Sequence, residues 1–176
     1  LIGHGNQESK MAKEKTLSDA FYETLKDVYW AEKHSVQACK KSAKAAKGAE
    51  LKQAFQTHAE ESAHQVERLG QVFEIIGKAA RAKTCEATQG ILAEMDEDME
   101  DFGETEAADD VLIGCAQALE HYEIARYGML KAWATKLGLA DAAKLLDETL
   151  QEEKLADEKL SRIAEGSAGS MQAKAA

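Results

Sequence analysis

Proline is absent from all 176 residues, and no other feature of the chain narrows its fold so far. Proline removes a backbone donor and clashes with the preceding turn, so without it helices can run long and unbroken. Ala, Glu, Lys and Leu, the best helix formers, are abundant. Apolar residues at 44% and charged residues at 31% are globular values that argue against bulk disorder. A chain of this size can bury enough apolar surface to fold as one domain without staples. The expectation is an all-α protein.

Apolar periodicity places the helices. Leu17, Phe21, Leu25, Val28, Glu32, Ser35 and Cys39 recur at steps of three and four, giving helix A over about 16–46. Thr16 or Ser18 is placed to cap its start, and Gly48 to stop it. Helix B follows at once and ends at Gly77, with Leu51, Phe55, His58, Glu61, Gln65, Leu69, Val72 and Ile76 near one face. The pattern weakens from Lys78 to Glu106; a short helix is expected over Thr88 to Asp101 there, since an unstructured loop of that length is unusual. Helix C spans about 107–137 on the stripe Ile113, Ala116, Glu120, Glu123, Tyr127, Leu130, Ala134 and Leu137. Helix D spans about 140–165, with Leu146, Leu150, Glu153, Asp157 and Leu160 in register. Short turns after A and C and a long connection between B and C make two hairpins joined by a crossover. That is the connectivity of a ferritin-like antiparallel four-helix bundle, with a short helix inside the crossover.

Each stripe, followed to the middle of its helix, meets an acid: Glu32 in A, Glu61 in B, Glu120 and Glu123 in C, Glu153 and Asp157 in D. An ionised carboxylate in a bundle core costs several kcal/mol unless a cation or donor compensates it. A pair of divalent metals would supply the missing positive charge. Glu61 and His64 stand three residues apart, so they share a helix face and offer an oxygen and an imidazole nitrogen to one centre. Glu32, Glu61, His64, Glu120, Glu123, Glu153 and Asp157 are therefore the candidate ligands. Such acids can also sit at the edge of a stripe and stay solvated, as Glu60, Glu67, Glu152 and Glu158 are expected to. His58 and His121 are lesser candidates, lacking a partner at i+3, and Tyr29, Trp30, Tyr122 and Tyr127 read as core aromatics.

A formal net charge of -10 argues against nucleic acid or an anionic membrane as partner, because both require clustered Lys and Arg. Three scattered cysteines with no zinc spacing read as buried reduced thiols in a cytoplasmic protein. Residues 1–15 are expected to be a tag or disordered tail with a native start at Met11, residues 16–165 the bundle, and residues 166–176 a flexible tail.

The segments DVYWAEKH, AFQTHAEESAHQVERL, ALEHYEIARYGMLKAWA and AAKLLDETLQEEKLADEKL resemble the bacterial YciE/YciF family of ferritin-like, rubrerythrin-related proteins, from about Thr16 to Glu165. The resemblance implies a helical bundle, a homodimer, a dinuclear iron or manganese centre and a link to bacterial stress, without an established activity. It places Glu32, Glu61 with His64, Glu120 and Glu153 on ligand positions of the ferritin-like superfamily. Helix D departs from the rubrerythrin pattern: Ala156 stands where a second Glu-x-x-His would end, and Asp157 is the nearest alternative donor. Two functions stay open. One is a stress protein whose metal centre acts on a small oxidant, as oxidase or peroxidase; the other is a non-enzymatic structural or adaptor bundle with an empty or single-metal site.

Overall fold

The computed structural model describes the backbone of residues 14–175 and the side chains of residues 14–166. Most of the tail expected over 1–15 lies outside the described residues, as do nearly all side chains of the tail expected over 166–176. Five helices follow one another: α1 (Leu17–Ala45), α2 (Ala49–Ile75), α3 (Glu86–Phe102), α4 (Ala108–Lys136) and α5 (Ala140–Ala175). The hairpins α1/α2 and α4/α5 pack side by side, α2 against α5 and α1 against α4. The crossover helix α3 lies on α4. This is the ferritin-like antiparallel four-helix bundle, with the short helix where the sequence calls for it. α5 continues past the end expected near Glu165, through a stretch with no residue that removes a backbone donor. No helix among the described residues is long and apolar enough to cross a membrane.

Local chemistry fixes the ends of the helices. Thr16 opens α1 with a capping box: Asp19 N–H donates to Thr16 Oγ1 at 3.3 Å, and Thr16 N–H donates to Asp19 Oδ2 at 2.8 Å. Gly77 and Gly138 carry φ of 65° and 72° and close α2 and α4. In each case the following residue donates back to the last turn, Lys78 to Phe73 O and Leu139 to Ala134 O, which satisfies otherwise free carbonyls. α1 ends at Ala45, and Gly48, expected to stop it, caps the start of α2 with φ of −73°. Its small size permits a close approach instead. Asp109, in the first turn of α4, accepts from Lys47 N–H at 2.8 Å and Gly48 N–H at 2.7 Å, and a Cβ on Gly48 would lie 3.1 Å from Asp109 Oδ2.

The apolar core comes in two parts. One gathers Phe21, Leu25, Leu69, Phe73, Leu130 and Leu146; the other gathers Cys39, Leu51, Phe55, Leu112, Ile113 and Leu160. Between them along the bundle lies a polar layer contributed by all four long helices: Glu32 and Ser35, then His58, Ser62 and Gln65, then Glu120 and Glu123, then Thr149 and Glu153, all buried. The two apolar ends supply the burial that holds four helices around an interior layer which contributes little hydrophobic stabilisation itself.

Candidate metal centre

His58 of α2, Glu120 and Glu123 of α4 and Glu153 of α5 each place a ligating atom within 4.8 Å of the others. His58 Nε2 stands 3.1 Å from Glu120 Oε1 and 3.5 Å from Glu153 Oε2. These are ion-pair distances without the alignment of a hydrogen bond, so Nε2 remains unpartnered. Across the layer, Glu32 of α1 is fully buried and accepts a 2.6 Å hydrogen bond from the Tyr127 hydroxyl through Oε1. Six carboxylate oxygens here have no hydrogen-bond partner: one each on Glu32 and Glu120, both on Glu123 and both on Glu153. Buried polar atoms are nearly always paired, so this concentration is exceptional.

The structure brings Glu32, Glu120, Glu123 and Glu153 into the layer and treats the other expected ligands differently. Glu61 lies at its rim, 42% exposed, with Oε2 3.2 Å from His58 Nδ1; it orients the imidazole rather than joining the cluster. His64 is exposed, so the expected Glu61 and His64 pair does not face inward together. The buried imidazole is that of His58. Strict alternation of four and three along α2 runs Leu51, Phe55, His58, Ser62, Gln65, Leu69 and Val72, all buried. Stepping from His58 to Glu61 breaks that alternation, rotates the stripe and makes His64 look internal. Asp157 is half-buried outside the cluster, where it accepts from Gln117 Nε2 at 2.9 Å and lies 3.3 Å from His121 Nε2. Tyr127 is the core aromatic that reaches a carboxylate, whereas Tyr122 hydrogen-bonds Cys85 at 2.8 Å. All three cysteines are free, Cys39 and Cys85 buried and Cys115 half-buried.

Burial raises the Glu32 pKa to about 7 despite the opposing hydrogen bond from Tyr127. Burial, reinforced by neighbouring carboxylates, holds Glu123 and Glu153 well above the usual range. Burial disfavours a charge on Glu120 too, but the His58 imidazolium outweighs it and keeps Glu120 below its ordinary value. His58 is pushed well above 6.5, because the charges of Glu120 and Glu153 and the Glu61 contact overcome its own desolvation. These shifts favour an ion pair between the His58 imidazole and the Glu120 carboxylate and disfavour charge on Glu32, Glu123 and Glu153. Elsewhere the chain solves the same problem differently. Glu152, next to Glu153 in sequence, accepts from Arg68 at 2.8 Å and 2.9 Å, and Arg68 also donates to Thr149 at 2.7 Å. Among the described residues no Lys or Arg pairs with Glu32, Glu120, Glu123 or Glu153.

A family model described as a domain of unknown function, DUF892, matches residues 16–175. The chain belongs to the DUF892 family. It is 45% identical over 152 residues to protein YciF of Escherichia coli strain K12, covering 85% of this chain and 91% of that one. The crystal structure of the E. coli stress protein YciF matches with a TM-score of 0.85 and 42% identity, over 89% of this chain and 99% of that one. YcfI, a proposed structural protein from Rhodopseudomonas palustris, matches with a TM-score of 0.82 and 38% identity, over 86% and 96% of the two chains. In this DUF892 bundle the donor set passes the chemical test for a metal. It offers one imidazole nitrogen and several carboxylate oxygens, it is buried, its oxygens are orphaned, and the His58 ring is oriented by a carboxylate from outside, as metal-bound histidines are. The buried cluster is thus able to hold a metal ion.

Proposed function

We propose that this protein is a stress-associated metalloprotein of the YciF type whose central layer holds a carboxylate-bound pair of iron or manganese ions. The observation that carries the reading is the set of six orphaned carboxylate oxygens around one oriented imidazole, with no Lys or Arg among the described residues paired to them. His58, Glu120, Glu123 and Glu153 would hold the first ion, and Glu32, in contact with Tyr127, extends the set toward a second. Bound iron or manganese polarises dioxygen or peroxide, which makes oxidase or peroxidase chemistry the class to test. The chain's own part is proton management. Glu32, Glu123, Glu153 and His58 would release protons if the layer took up metal, and the Tyr127 hydroxyl, which donates to Glu32 Oε1, would keep that carboxylate positioned. Glu61 keeps the His58 ring turned inward from the rim. The E. coli relative's description as a stress protein supports the physiological setting, and the three unpaired cysteines support a reducing, cytoplasmic one. A small oxidant and a second copy of the chain are the partners included in the proposal.

The test is anaerobic titration of metal-free protein with Fe(II) or Mn(II), followed by peroxide. Saturable binding near two ions per chain, lost in Glu123→Gln and retained in His64→Ala, with turnover of peroxide, supports the proposal; absence of binding rejects it. A sizing column tests the homodimer.

One observation favours a second reading, a structural bundle with at most one ion. The layer contains a single imidazole, and His58 with Glu120 already neutralises part of its charge. Saturation at one ion per chain, without peroxide turnover, would select it.

A further inference from the structure

The position on α5 where the rubrerythrin pattern would put a second histidine is not filled by another donor. Ala156 instead borders a cavity of about 220 Å³ between α2 and α5. Its walls combine apolar side chains, chiefly Phe55 and Leu160, with Thr57, Glu61 and Glu152, and its most deeply buried polar lining is His58 and Glu120. Both are more than nine-tenths buried, and each carries a polar atom without a hydrogen-bond partner. Leu155, 61% exposed, marks the mouth, with Lys159 and Arg162 beside it. A liquid water occupies about 30 Å³, and an apolar cavity near 150 Å³ accepts benzene, so this space far exceeds what dioxygen or peroxide fills.

We propose that the α2/α5 cavity binds a small neutral hydroxylated aromatic molecule of phenol size, its ring between Phe55 and Leu160 and its hydroxyl toward His58 and Glu120. Two features select that class. Apolar walls ending in a few convergent polar groups are the usual composition of a small-molecule site. The inner end offers a carboxylate acceptor and an imidazole together, and a hydroxyl can donate to the one and meet the other. Lys159 and Arg162 stand at the mouth, but an anion seated inside would face Glu120, with Glu61 and Glu152 also on the lining, and a hydrocarbon would leave the polar end unanswered. Because the inner end is the cluster itself, the inference deepens the metal-centre reading, naming an organic co-substrate class for that centre.

The experiment uses the full chain, metal-free and after Mn(II) addition, titrated with phenol, benzene and benzoate by NMR line broadening and calorimetry. Phenol should saturate with Kd on the order of 1 mM or tighter, and benzoate should bind at least about tenfold more weakly. Ala156→Phe, and the smaller Ala156→Leu should the larger side chain disturb folding, should weaken phenol by about tenfold or more while leaving Mn(II) stoichiometry unchanged. Phenol binding that fails to saturate, or that is indifferent to both substitutions, overturns the inference whether or not Mn(II) binds. Phenol binding lost on filling the cavity, in a protein that takes up no Mn(II), would uphold the cavity and remove the metal centre.

Discussion

The two sides of the polar layer are built on opposite terms. On the α1/α4 side, Glu32 is sealed beneath the Phe21 and Leu25 end of the core and held by Tyr127, with Glu123 fully buried beside the same helix pair. On the α2/α5 side, His58 is steered by a half-exposed Glu61, and the space beyond it opens past Ala156 to solvent. The sealed side can lower its charge only by keeping protons, whereas the open side has a titrating imidazole and a route for exchange. The difference teaches that the layer is not a uniform ring of ligands. One side fixes acids in place, and the other borders an open cavity.

The largest effect expected from breaking this division is at His58. His58→Ala removes the imidazole that stands 3.1 Å from Glu120 and leaves Glu120 buried without its partner, which should cost about 3–5 kcal/mol in metal-free protein near neutral pH. It should also abolish high-affinity metal uptake. His64→Ala, at an exposed position, should change neither melting temperature nor uptake. Denaturant unfolding of both variants checks this, and equal losses would return the inward role to His64. On the sealed side, Tyr127→Phe removes the donor to Glu32 Oε1 and should cost about 1–3 kcal/mol, measured in the same way.

The pH dependence of metal-free protein should follow from the protons the layer keeps. Glu32, Glu123, Glu153 and His58 all have folded pKa values raised above their unfolded ones. Such groups contribute stability that is fully present below the unfolded pKa and is lost as pH rises through the folded one. Glu120 alone runs the other way, its contribution being lost as pH falls. Between pH 5 and 8 the melting temperature should therefore decline by several degrees, with Glu32 titrating at about 7 in the middle of the window. Mn(II) should flatten or reverse that slope, since ions bind the deprotonated layer. A melting temperature that climbs with pH in metal-free protein would contradict the proton-holding state.

Much of this is legible in the amino-acid sequence. The absence of proline, the steps of three and four, and the glycine at 77 mark the four long helices and the crossover with its short helix. The acids of α1, α4 and α5 could be read because a carboxylate interrupting an apolar stripe stands out against leucine. α2 misled because its inner stripe is itself polar there: His58, Ser62 and Gln65 look no more buried than Glu61 and His64, and a local Glu-x-x-His spacing took precedence over the longer alternation. The signal was present in the unbroken four-three rhythm from Leu51 to Val72. Asp157 stands outside the cluster for a different reason. It lies on the stripe of α5, but Gln117 of α4 offers it a nearer partner, a tertiary contact that spacing along one helix does not encode.

The smallest effects should come from the rim of the open side, and they sharpen the comparison most. Glu61→Ala leaves every buried oxygen in place and removes only the group 3.2 Å from His58 Nδ1. Loss of a partner that orients a metal-bound histidine typically lowers affinity by about 10–100-fold, so Mn(II) titration should show weaker binding with unchanged stoichiometry. Ala156→His asks the converse question. It puts an imidazole at the edge of the cavity, where space exists and His58 and Glu120 line the same wall. If openness reflects only a missing donor, the variant should bind Mn(II) about tenfold more tightly, with the gain disappearing below pH 6.5 as the new imidazole protonates. If the open side is built to receive an organic molecule, the same side chain should gain the metal less and exclude phenol. The variant thus separates a degraded ligand position from a binding cavity, and the ratio of its effects on Mn(II) and phenol says which role Ala156 serves.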